Sequence, residues 1–207
     1  MSTVAAPVVL ADLVPRLHVR RAALLRTSAL VLGAALFTAA CAQIRINLSF
    51  TPVPITGQTF AVLLAGAALG WRAGAASQGL YWVLGAIGLP FYANHEGGWA
   101  SATGSTFGYF IGFVLAAAMV GYLAERKQDR SFATSVPAML MGTAIIYAAG
   151  VLWLAHDLHI PVYSATDSKN AINFGLTPFI IGDTVKVLLA GALTPLAWHF
   201  ARSARSR

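Results

Sequence analysis

The chain reads as an all-α integral membrane protein, a bundle of six transmembrane helices with structured extracytoplasmic loops. Three observations predict this. Of 207 residues, 57% are hydrophobic and only 10% charged, with a mean hydropathy of +0.69. A soluble chain carries about 25% charged residues, so here lipid must solvate most of the surface. The apolar residues gather into long runs, and the positive charges gather at the ends of those runs on one side.

Six segments are expected to span, roughly 22–43, 57–70, 73–90, 105–125, 134–156 and 179–201. The first is too long, and its flanks are wrong, for a cleaved signal peptide. The second is short for a full crossing. It follows LSFTPVPI, a stretch whose prolines exclude regular helix throughout. Residues 1–21 form a basic lead, 22–201 the membrane domain and 202–207 a basic tail.

An even number of spans puts both termini on one side. That side holds Arg16, Arg20, Arg21 and Arg26 at the start, Arg72, Arg126, Lys127 and Arg130 in the turns, and Arg202, Arg205 and Arg207 at the end. The opposite side holds only Arg45 and Lys169. This asymmetry predicts a multi-pass protein of a bacterial cytoplasmic membrane with both termini cytoplasmic. The net charge of +7 therefore reflects topology. No basic stripe with interleaved aromatics points to nucleic acid.

The last apolar run, FIIGDTVKVLLAGALTPLAWHF at 179–200, carries Asp183 and Lys186. A three-residue step sets both on one helix face. A charge near the bilayer centre costs at least ~3 kcal/mol on insertion scales, so such residues mark function by default. The alternative is an Asp–Lys pair that neutralises itself and only locks helices together. Function is favoured by the neighbourhood: the pair lies one to two turns inside the external end, beneath loops 44–57, 91–104 and 157–178. Those loops are rich in Pro, Gly, aromatic and polar residues. Gln58, Asn94 and Tyr109 add hydrogen-bonding groups nearby. Such an inventory suits a small, partly apolar, anionic metabolite.

Other chemistry is missing. HEGGW at 95–99 has Trp99 where a zinc helix needs its second His, and no metal or cofactor is expected. TGST at 103–106 lacks a nucleophile elbow, and Asp183 has no second intramembrane carboxylate. Lys127, Lys169 and Lys186 are followed by Gln128, Asn170 and Val187, so no phosphate-binding loop exists. Cys41 stands alone and reads as a packing residue. Small residues recur four apart: Ala35 and Ala39, Gly66 and Gly70, and Gly104, Gly108 and Gly112. That spacing permits close helix packing. For Ala35 and Ala39, internal packing and a docking face for another membrane protein are both open.

Four pieces carry a family resemblance: TPVPITGQTFAVLLAGAALGWRAG (51–74), YWVLGAIGLPFY (81–92), GGWASATGSTFGYFIGF (97–113) and TPFIIGDTVKVLLAG (177–191). In this order they resemble the BioY family, the biotin-specific substrate-capture subunits (S components) of energy-coupling-factor (ECF) transporters. The resemblance implies biotin held near the outer surface, with Asp183 and Lys186 contacting it. Gln58 and Tyr109 fall in matching motifs, and Asn94 lies in the less clearly aligned NHEG segment. It also implies partners: a transmembrane coupling subunit and two ATPases, with self-association left open. Ala35-x-x-x-Ala39 is similar to the family's docking motif. The alternatives are an S component for another vitamin and an intramembrane enzyme.

Overall fold

A computed structural model describes residues 8–14 and 20–205; Arg16 and Arg207 of the positive set lie outside them. Seven α-helices are present among the described residues: α1 (Arg20–Ala42), α2 (Gln58–Ala86), α3 (Trp99–Thr103), α4 (Phe107–Glu125), α5 (Phe132–Leu158), α6 (Ala171–Gly175) and α7 (Ile180–Arg205). Five are long and apolar enough to cross a membrane. The proline-punctuated stretch after α1 forms a short antiparallel pair, β1 (Arg45–Ile46) and β2 (Ile55–Thr56), with Arg45 opposite Thr56.

α2 is two helices in one. A straight helix of 29 residues would run ~44 Å. Yet Gln58 Nε2 donates to the Tyr81 hydroxyl across 2.7 Å, although 23 residues of helix would separate them by ~35 Å. The break is Gly70, at φ 81° and ψ 178°, a conformation only glycine adopts without strain. The arms, 58–69 and 71–86, fold back on each other so tightly that a Cβ on Gly74 would sit 2.9 Å from Gly66 Cα. The separate segments 57–70 and 73–90 expected from the sequence are these arms. The second stops at Ala86 because Gly88 (φ 106°) and Pro90 turn the chain away.

Glycine-backed contacts continue outward. A Cβ on Gly66 would fall 2.6 Å from the Ala117 carbonyl of α4, and one on Gly112 would fall 2.8 Å from Ile146 Cα of α5. Here the four-residue spacing of small residues is internal packing. Ala35 and Ala39 also turn inward, which favours internal packing of the two readings open for them. They are 0% and 6% exposed, in the core cluster with Val62, Tyr81 and Tyr92. The exposed face of α1 carries Leu32, Leu36 and Phe37 instead.

The two ends of the bundle differ. At one, residues 8–14 pack back on the helices. Val9 is buried, the Arg26 guanidinium donates to the Ala11 carbonyl, and Arg130 Nη2 donates to the Val8 carbonyl at 2.9 Å. Beside it, Trp198 Nε1 donates to Asp129 Oδ2 at 2.5 Å, and Arg130 lies 3.2 Å over the Trp198 ring. Burial pushes the Asp129 carboxyl up, against the opposing pull of Trp198 and Arg130. The opposite end is built from loops.

Candidate functional site

The loop end is knitted by side chains reaching across long sequence gaps. Gln43 Nε2 donates to the Tyr92 carbonyl at 3.0 Å, Thr51 to the Phe174 carbonyl at 2.8 Å, and Ser105 to Asp157 Oδ2 at 2.6 Å. Beneath these loops lies a cavity of about 120 Å³. Gln58, Asn94, Tyr109, Asp183 and Lys186, the five ligand residues expected from the sequence, all line it.

Asp183 sits in the first turn of α7, where a carboxylate is favoured by the helix dipole. It is 4% exposed and accepts three hydrogen bonds. Lys186 Nζ donates to Oδ1 at 2.5 Å and Thr59 to the same oxygen at 3.3 Å, while the Tyr147 hydroxyl donates to Oδ2 at 2.7 Å. Lys186 also donates to the Thr56 carbonyl at 2.5 Å and to Thr59 Oγ1 at 3.4 Å. The pair thus ties α7 to the start of α2, and each charge meets the partners that burial demands.

The other three expected residues are already bonded within the protein. Gln58 takes the Thr56 hydroxyl on Oε1 (2.8 Å) and gives Nε2 to Tyr81. Tyr109 donates to the Gly175 carbonyl of α6 at 2.7 Å, so its ring, not its hydroxyl, is the surface offered to a ligand. Asn94 Oδ1 accepts from Arg45 Nε (2.5 Å) and Asn47 Nδ2 (2.9 Å), leaving its amide N–H groups as donors. It is held at φ 61°, a left-handed conformation asparagine tolerates.

Aromatic rings make the apolar wall. Tyr92 and Phe110 lie 4.7 Å apart, Tyr109 and Tyr147 meet edge-on at 6.4 Å, and Phe179 lies 6.3 Å from Tyr147. Tyr147 and Thr59 went unnoticed in the sequence. Tyr147 sits in an apolar run, TAIIYAAG, where an aromatic reads as packing. The available signal was its hydroxyl, which a membrane helix must satisfy. Thr59 is one residue beyond Gln58, in the same motif.

A flat or partly apolar ligand fits the rings, and the charged pole offers both acceptor and donor. Fold and site together define a helical, multi-pass membrane protein built to hold a small solute. The BioY family model matches residues 13–203, and the chain belongs to that family. The biotin transporter BioY of Thermotoga maritima is 38% identical over 148 residues, 72% of this chain and 82% of the relative. That of Rhodobacter capsulatus is 38% identical over 175 residues, 79% of this chain and 92% of the relative. The crystal structure of the S-component for biotin from an ECF-type ABC transporter matches with a TM-score of 0.72 and 26% identity, covering 92% of this chain and 96% of that one.

Proposed function

We propose that this protein takes up biotin across the cytoplasmic membrane as the biotin-binding S component of an ECF-type transporter. The observation that carries this reading is the buried Asp183–Lys186 pair in the wall of an aromatic cavity. A carboxylate offers about four acceptor positions. Lys186, Thr59 and Tyr147 occupy three, which leaves one on Oδ2 for a ureido N–H. An ammonium has three donors. All three of Lys186 are engaged, the longest at 3.4 Å to Thr59. Releasing that contact frees a donor for the ureido carbonyl or the valerate carboxylate. The rings beside them suit the thiophane and the aliphatic chain.

Counting each arm of α2 as one crossing gives six passes, both termini cytoplasmic by the charge asymmetry, and the cavity on the outer side. With no phosphate-binding loop in the sequence, energy comes from partners: a transmembrane coupling subunit and ATPases. The role is transport, not catalysis, in keeping with the relatives' names.

The test is a titration of purified, detergent-solubilised protein with biotin, with thiamine and riboflavin as controls. Selective biotin binding is expected. A folded sample that binds a control vitamin instead keeps the S-component role and changes the substrate; one that binds none refutes capture.

A further inference from the structure

A second hollow, of about 610 Å³, opens between α5 and α7. Its lining is nearly all apolar, including Leu140, Ala144, Val151, Ile180 and Val187. Leu140, Ala144 and Ile180 are exposed, so in a six-pass arrangement this flank faces lipid. Tyr147 and Asp183 line both this hollow and the ligand cavity. The Tyr147–Asp183 hydrogen bond therefore stands where the two meet.

Oδ1 of Asp183 has two donors on it, while Tyr147 supplies the donor to Oδ2. Without that hydroxyl, the carboxylate keeps its anchor on one oxygen and loses what fixes the other. The ring of Tyr147 is itself braced edge-on by Tyr109 (88° between planes) and flanked by Phe179. It cannot swing away without disturbing two neighbours. We infer that Tyr147 is a positioning residue for the solute site: its hydroxyl aims Asp183 Oδ2 at the ligand, and its ring seals the cavity from the lipid-facing hollow. This rests on the reading of Asp183 as a ligand contact.

Two readouts separate these roles from simple packing. The first is biotin affinity in Tyr147→Phe, which keeps the ring, and in Asp183→Asn. Tyr147→Phe is expected to raise Kd roughly tenfold or more, the loss of one hydrogen bond to a charged group. The second is a reporter cysteine, Ala144→Cys in a Cys41→Ala background, probed in membranes with a charged aqueous thiosulfonate. The reporter is expected to stay unmodified with Tyr or Phe at 147. Tyr147→Ala is expected to expose it, with biotin protecting it. Wild-type affinity in Tyr147→Phe, with binding lost in Asp183→Asn, overturns the positioning role alone. Equal reporter reactivity with and without the ring overturns the seal. Unchanged affinity in a folded Asp183→Asn protein overturns the site reading underneath both.

Discussion

Replacing Lys186 with methionine keeps an unbranched side chain one atom shorter and removes its charge. The change deletes donations to Asp183, the Thr56 carbonyl and Thr59. Asp183, only 4% exposed, is then left with hydroxyl donors and no counter-charge. Breaking a buried pair from one side costs about 3–5 kcal/mol. Lys186 keeps 17% of its side chain exposed, so screening puts the expected loss at the low end, ~3 kcal/mol. Ligand binding loses a charge-assisted hydrogen bond as well, ~1.5–3 kcal/mol, or roughly 10- to 150-fold in Kd. The two losses are separated by the double variant Asp183→Asn with Lys186→Met, which removes both charges. It is expected to regain most of the thermal stability, because a neutral pair has no uncompensated charge, and none of the affinity. The assay is thermal unfolding in detergent beside a biotin titration of the same samples. A single variant that melts and binds as wild type refutes the electrostatic account. A double variant that recovers biotin binding refutes the assignment of the pair to the ligand.

Two further variants probe the frame. Ala35→Leu puts three more heavy atoms into a site that is 0% exposed, so overpacking by about 1–3 kcal/mol is expected. Because the same cluster holds Tyr81 and Tyr92, isolated protein should melt lower and bind biotin more weakly; lost uptake with unchanged melting and binding would assign Ala35 to docking instead. Gly70→Ala forces a side chain into a conformation that costs ~1–3 kcal/mol, with its Cβ 2.5 Å from the Glu125 carboxylate oxygen that accepts the Trp71 N–H. A melting temperature unchanged in that variant would mean the two arms of α2 do not turn at Gly70.

What the sequence could and could not reveal follows from the kind of information each residue carries. Asp183 and Lys186 were legible because charge in an apolar run is expensive wherever the helix points. The paired arms of α2 were legible as two apolar runs, but their direct fusion was not, since the Gly70 turn uses no loop residues. Ala35 and Ala39 show why periodicity alone is insufficient. A four-residue spacing fixes a shared helix face and says nothing of what covers it; here Val62, Tyr81 and Tyr92 share the core they enter. Tyr81 and Tyr147 hid for a related reason. Each ring does the packing that an apolar context suggests, while each hydroxyl does polar work visible only once Gln58 and Asp183 are placed beside it. Val9 lies in a short segment interrupted by Pro7, Asp12 and Pro15, so its buried position had no periodic signal to announce it.

The walls of the site are unequal in the way they are held, and this bears on how a ligand enters. α2, α4 and α5 meet through glycines, with Gly66, Gly112 and Gly121 in close contact with neighbouring backbone. α7 meets the site through polar links instead, from Lys186 to the Thr56 carbonyl and from Asp183 to Tyr147 and Thr59. The roof depends on Tyr109 holding the Gly175 carbonyl of α6 and Thr51 holding that of Phe174. Hydrogen bonds of this kind exchange for ligand or water bonds at small net cost, whereas interlocked backbone does not. The links that exchange at least cost are therefore those of α6, α7 and the loops above them, whereas α2, α4 and α5 are held by close backbone contact. Asp183, Lys186 and Tyr109, proposed above as ligand contacts, are the same residues that make these exchangeable links.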